Sequence, residues 1–194
     1  MHMRLISGKY GGRSIKAPST FKTHPMSERA RGAIYNRLHG AIEGADVLDA
    51  FAGSGALGFE ALSRGAARAV FIEKDRVAMR TLRDNKALLG CGDEAVLVQS
   101  PVYSWVQRQG QLTGHSEQDE LWETPLFDVI FADPPYNNEQ FSTVALLFRL
   151  LKPGGLMVLS HSGKGEVPSL MGKVVVVDNR SYGNANITLY RKEA

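Results

Sequence analysis

From residue 45 onward, short apolar runs alternate with stretches whose hydrophobic positions repeat at helical spacing. The runs at 47–51, 69–73, 95–99, 126–132 and 156–159 are too short for helices and predict buried strands. Between them, the spacing predicts helices at about 56–64, 76–89 and 140–151, and a weaker one around 102–109. Two further strands, 174–177 and 187–190, have only a short connection between them and predict an antiparallel hairpin. Alternating β and α units closed by such a hairpin imply an α/β, doubly wound, mostly parallel sheet with an antiparallel edge. Ahead of it, Arg4–Ser7 and Arg13–Lys16, separated by Gly8, Gly11 and Gly12, predict a short basic hairpin. Residues 17–25 read as loop. Ser27 is suited to cap a helix running to about Leu38, with Ala30, Ile34 and Leu38 on its apolar face and its basic residues mostly off the core. Residues 110–125 are polar and predict a surface insertion, and no internal repeat is visible.

A chain of 194 residues with 43% hydrophobic and 22% charged positions suits one globular unit with a substantial core. No apolar stretch approaches a membrane span, and the start lacks the apolar core of a secretory signal, so a cytoplasmic protein is expected. Cys91 is the lone cysteine, which excludes an intrachain disulfide or a cysteine-cluster metal site. Charge changes the picture. Residues 1–40 hold eight Lys or Arg against Glu28 alone, a balance of +7, whereas the remainder carries −4. That asymmetry divides the chain into a basic extension, 1–40, and a main domain, 41–194, and points to a polyanionic partner met by the extension. Arg4, Lys9, Arg13, Lys16, Arg29 and Arg31 are the candidate nucleic-acid contacts.

The most specific chemistry follows the strand at 126–132. Asp133-Pro134-Pro135-Tyr136 is a stiff turn with two amide donors removed. It suits a flat heterocycle carrying an exocyclic amine. Asp133 can accept one amine hydrogen, the Pro134 carbonyl can accept the other, and the Tyr136 ring can stack on the base. The plain alternative is a proline turn after a strand.

Gly53-Ser54-Gly55-Ala56-Leu57-Gly58 fits the dinucleotide pattern, and Glu73 lies 20 residues past Gly53. Asp49, ending the preceding strand, argues against a pyrophosphate, because a carboxylate pointing into that crevice would repel it. It favours a cationic ligand such as S-adenosylmethionine, with its ammonium and sulfonium. Ala52, Gly53, Ser54 and Gly55 would let the ligand approach closely, Glu73 would accept from both ribose hydroxyls, and Ser100 or Gln99 would meet the adenine. A dinucleotide oxidoreductase and a merely structural turn are the competing readings.

On these residues the chain resembles class I S-adenosylmethionine-dependent methyltransferases with a Rossmann-like sheet. More narrowly, it resembles the bacterial family that methylates a guanine N2 in 16S ribosomal RNA. The resemblance runs through residues 3–10 with Gly12-Arg13, Ser27–Arg31 with Asn36, residues 49–58, 60–65 and 73–75, Asn85, and Asp133–Tyr136. It implies S-adenosylmethionine as cofactor, held by the residues above together with Lys74 and Asp133. It also implies 16S ribosomal RNA as substrate, within a small subunit or an assembly intermediate, and methyl transfer at Asp133, Pro134 and Tyr136. Where the family usually reads Arg-Pro-Thr, this chain has His24-Pro25-Met26, so no role is carried onto His24 or Met26. A DNA or RNA adenine-N6 methyltransferase has almost the same site chemistry, and a non-catalytic RNA-binding module would explain the basic extension alone. A monomer is expected. His115 and His161 read as surface residues, Trp105 and Trp122 as packing, and Leu146, Leu147, Leu150 and Leu151 as core.

Overall fold

Gly8 and Gly12 adopt positive φ and let the chain reverse between β1 (His2–Arg4) and β2 (Ser14–Lys16), which pair antiparallel in this computed structural model. The structure describes residues 2–19, 26–112, 127–168 and 173–194. Helix α1 (Glu28–Arg37) starts at Ser27, whose hydroxyl accepts the Ala30 amide, and buries Ala30, Ile34 and Leu38 as its spacing requires. Then β3 (Asp46–Asp49), α2 (Ala56–Ser63), β4 (Arg68–Glu73), α3 (Arg76–Leu89), β5 (Ala95–Gln99) and α4 (Val102–Leu112) alternate. Asp75 caps α3 through the Val77 and Ala78 amides, worth about 1 kcal/mol. Gly90 ends that helix with φ 70°.

After β6 (Phe127–Ala132) come α5 (Phe141–Leu147), a 3-10 turn, β7 (Leu151–His161), β8 (Val174–Tyr182) and β9 (Ala185–Lys192). The main sheet has the order β5-β4-β3-β6-β7-β9-β8, parallel from β5 to β7 and antiparallel beyond. Successive residues of a strand face opposite sides, so Val47, Phe71 and Phe131 join one hydrophobic cluster and Leu48, Ile72 and Ile130 the other. The first cluster takes in the hairpin residues Leu5, Tyr10 and Ile15 and α1 as well as α2 and α3.

Four expectations need correcting. Helix α4 continues to Leu112, into the expected insertion, whose remainder lies outside the described residues together with His115 and Trp122. The strand expected at 156–159 starts earlier, at Leu151, and Lys152–Gly155 bulges from within β7: Leu151 pairs with Phe127, and Leu156 with Val129. Arg31 is 1% exposed instead of lying off the core, because the carbonyls of Met26 and Arg4 accept from its guanidinium and the buried Glu60 balances its charge. His161 is buried too. Its Nδ1 accepts the Gly163 amide, which leaves Nε2 to donate to Thr188 Oγ1 at 2.9 Å.

The hairpin sits on α2 and α3 through main-chain contacts. Both carboxylate oxygens of Glu60, a fully buried side chain, accept amides: Ile6 at 2.7 Å and Ser7 at 3.1 Å. Ser63 Oγ accepts the Tyr10 amide, its carbonyl accepts that of Lys9, and Asn85 brackets Lys16 by accepting its N–H and donating to its C=O. A Cβ on Gly8 would lie 1.8 Å from the Ser63 carbonyl oxygen, so only glycine fits there.

Candidate active site

The chain leaves the sheet centre toward β5 and returns on the other side of β3 as β6, so the strand order reverses between β3 and β6. Ligands of doubly wound sheets bind outside the strand ends at such a switch point. Asp49 ends β3 and Asp133 follows β6, one on each side of it.

Asp49 does not open into the crevice as expected. Helix α2 is capped by Gly55, which has no side chain, so its first-turn amides need acceptors from elsewhere. Asp49 Oδ2 takes the Gly58 amide at 3.0 Å and Ser54 Oγ takes that of Ala56. Burial pushes the Asp49 carboxyl up to about 8; the Gly58 amide pulls it back, and Asp133 and Glu73 add repulsion. Ala52, Ser54 and Gly55 likewise belong to the loop's own packing. Ala52 donates to the Ile72 carbonyl, and the Ser54 carbonyl accepts from Asn85. A Cβ at Gly55 would strike Phe59 and Leu82 at 2.5 and 2.6 Å, so its glycine answers a packing need.

Gly53 differs. Its φ is 55°, and an added Cβ would meet nothing within 4 Å, which leaves open space over bare backbone. Glu73 holds the loop here by accepting the Gly53 amide at 2.9 Å and, on its other oxygen, the Asp75 amide. Gly53, Glu73, Lys74, Ser100 and Asp133 all line one cleft of about 370 Å³. Ser100 Oγ already accepts from Arg108 and donates to the Pro101 carbonyl. Pro18, Phe51, Asn137 and Gln140 also line the cleft, and the sequence had not marked them. Gln140 has φ 47°, a left-handed conformation that costs energy without glycine and accumulates at functional loops.

In the turn after β6, whose Asp133 and Pro135 line the cleft, Pro134 is buried and Tyr136 is 40% exposed. Burial pushes Asp133 up to about 6, opposed by a hydrogen bond from Ser160. Tyr136 Oη lies 2.7 Å from the same Ser160 hydroxyl. The sequence did not mark Ser160, although the adjacent strand runs 126–132 and 156–159 hold the signal. Parallel pairing sets Ala132 beside Leu159, which puts the next residues, Asp133 and Ser160, side by side.

The basic residues of the extension are largely engaged. Arg4 pairs with Glu28, Lys16 with Asp84, and Arg13 donates to the Leu88 and Leu89 carbonyls at the end of α3. Lys9 rests over the Tyr10 ring, while Arg29 is exposed and makes no ion pair among the described residues. Among the described residues no cluster of His, Cys, Asp or Glu could hold a metal ion, and no helix is long and apolar enough to cross a membrane.

A sheet that reverses at β3/β6, a glycine loop under a buried acid and an Asp-Pro-Pro-Tyr wall together define a Rossmann-like protein of the methyltransferase class. The family described as "Conserved hypothetical protein 95" matches residues 3–191, and the chain belongs to it. It is 31% identical over 195 residues to ribosomal RNA small subunit methyltransferase D of Escherichia coli (strain K12), covering 99% of this chain and 91% of that one. The Haemophilus influenzae protein of the same name is 34% identical over 160 residues, 80% of this chain and 76% of its own. The solved structure of yhhF from Escherichia coli superposes with a TM-score of 0.82 at 30% identity, covering 100% of this chain and 99% of that one.

Proposed function

We propose that the protein transfers a methyl group from S-adenosylmethionine to the exocyclic N2 of a guanine in 16S ribosomal RNA. On this reading it acts as a cytoplasmic monomer on a small subunit or an assembly intermediate. The observation that carries the reading is that the Asp133 carboxyl lines the cleft while Tyr136, three residues on in the same turn, is exposed. A cationic cofactor fits there on two grounds. Carboxyls pushed upward by burial, Asp49 also by the charges of Asp133 and Glu73, gain from a nearby positive charge. The open space over Gly53 admits a ligand against the backbone.

S-adenosylmethionine, when bound, supplies an activated methyl group, which leaves the protein the tasks of position and electrostatics. Gly53, Glu73, Lys74 and Ser100 would hold it from the cleft, and the cation's approach would favour ionisation of Asp49 beneath the loop. The target base leaves its stack, and the Tyr136 ring replaces the lost stacking. Asp133 and the Pro134 carbonyl accept the two amine hydrogens, and Asp133 stabilises the positive charge that grows on nitrogen. RNA phosphates are met by Lys9 and Arg29 and by two exposed arginines on one face of α3, Arg76 and Arg80, near the Lys74 rim of the cleft. Arg4, Arg13 and Lys16 contribute from positions set by their internal partners.

The test is transfer of labelled methyl to small ribosomal subunits lacking native modifications, with naked ribosomal RNA and duplex DNA alongside, followed by nucleoside digestion. Label in N2-methylguanosine from the ribosomal samples is the expected result. Label in N6-methyladenine would overturn the guanine assignment and leave methyl transfer standing.

A further inference from the structure

We propose that Ser160 is a positioning residue for this reaction: its hydroxyl, held between the Asp133 carboxyl and the Tyr136 phenol, orients both and links Asp133 to solvent. The inference rests on the reading of Asp133 and Tyr136 given above.

Ser160 is fixed first by its backbone. It lies in β7 between β6 and β9, where it pairs with Ile187. At 1% exposure its hydroxyl must find partners inside the protein. Tyr136 Oη lies 2.7 Å from it, and the Asp133 carboxyl sits beside it across the β6/β7 pairing, where the Ser160 hydroxyl draws the carboxyl's pKa down. A hydroxyl has one hydrogen to give, and a carboxylate can only accept. With Asp133 ionised, the order is therefore forced: Tyr136 O–H donates to Ser160 Oγ, and Ser160 O–H donates to Asp133. That chain ties down the far end of an exposed phenol and sets the plane in which its ring meets a base.

The same chain has a second use. When Asp133 takes the proton from the methylated nitrogen it becomes a donor, and both hydrogen bonds reverse. Ser160 then donates to Tyr136 Oη, whose own proton points to water. One proton enters at Asp133 and one leaves at Tyr136, so the carboxylate is restored without another reactant. Other charged groups near Asp133 do not supply this path. Asp49 is turned under the loop onto Gly58, Glu73 is bonded to Gly53 and Asp75, and Glu139 accepts the Ser162 amide. His161 turns to Thr188. Lys74, on the cleft rim, is a donor only.

The experiment compares wild type with Ser160→Ala, Ser160→Thr, Tyr136→Phe and the Ser160→Ala/Tyr136→Phe double variant. Carbon-13 titration of the Asp133 carboxyl, in the protein alone, reports the contact without any substrate. Ser160→Ala is expected to raise that titration by about one unit and to lower kcat about 10- to 100-fold, with cofactor KM and Tm held. Ser160→Thr is expected to restore both readouts. Tyr136→Phe keeps a folded protein with an intact ring and loses part of kcat. The double variant is expected to be no slower than Ser160→Ala, because one chain is already broken. An unmoved Asp133 titration, or losses that multiply in the double variant, overturns the proposal. If wild type makes no N2-methylguanosine but the titration shift is present, the functional reading fails while the hydrogen-bond chain stands.

Discussion

On the proposed mechanism the chemistry turns on Asp133, and its ionisation sets the acid limb of activity. The carboxylate is the working form, and burial holds its pKa up to about 6. Methyl transfer should therefore rise as pH increases through about 6 and level off above it, as a kcat profile will reveal. Asp133→Asn keeps the shape and loses the charge; kcat should fall about 10²- to 10³-fold while cofactor Kd moves only a few-fold. Equal loss of both would remove Asp133 from the transition state. Asp49 makes a different prediction. Folding lifts it from the ordinary 3.8 to about 8, so the folded state holds its proton more tightly than the unfolded chain does. That contribution is fully present below the unfolded value and is lost as pH rises from about 4 through 8. Asp49→Asn, which keeps an acceptor for the Gly58 amide, should flatten the pH dependence of the urea midpoint across that window. A midpoint that falls with pH as steeply as in wild type would place the effect elsewhere.

At the scale of elements, a glycine of the loop, Gly53, and one of the helix after it, Gly58, should fail in different ways. A Cβ on Gly58 would meet the Phe71 ring at 2.3 Å between α2 and β4, so Gly58→Ala should lower stability by about 1–3 kcal/mol through overpacking. Gly53→Ala meets no atom; it costs about 1 kcal/mol for placing a non-glycine residue at φ 55°, and its larger effect should be on cofactor Kd. Calorimetry and ligand titration on both variants separate the two. Element positions were well marked in the sequence, because a strand buried on both faces and an amphipathic helix have different periods. Helix α3 shows this most plainly: Asp75, the buried stripe Ala78, Met79, Leu82 and Leu89, and Gly90 all sit where a capped helix needs them. Arg31 and His161 were not legible, since each answers a partner 27 residues away in sequence, the Arg4 carbonyl and Thr188, and the turn of Asp49 onto the Gly58 amide depends on how α2 begins. The Lys152–Gly155 bulge is of the same kind, with Lys152 Nζ bridging the Asp46 and Asp128 carboxylates at 2.9 Å.

Across the whole molecule, the basic extension is bound to the sheet domain at both ends of the chain. Arg37 of α1 forms an ion pair with Asp178 of β8, and the hairpin shares the hydrophobic cluster of α2 and α3. The charge asymmetry was visible in the sequence, but which cations stay available was not, because pairing with Glu28 and Asp84 depends on the fold. Removing Arg76 or Arg80 should weaken RNA binding about evenly across sequences and reduce the slope of log K against log salt by about 1 each. Binding titrations at several salt concentrations measure this, and an unchanged slope would take α3 out of the RNA-facing surface.

The seat of the hairpin has one more consequence. Glu60, Ser63 and Asn85 grip residues 6–10 and 16 only by their amides and carbonyls, and Gly8 alone is held to its identity by a close approach. The outward side chains of Ile6, Ser7 and Lys9 are then free to drift over evolutionary time while the platform beneath them stays constant. On the proposed reading, a lineage can thus retune what the hairpin meets by single surface changes, without rebuilding the anchorage or disturbing the candidate site.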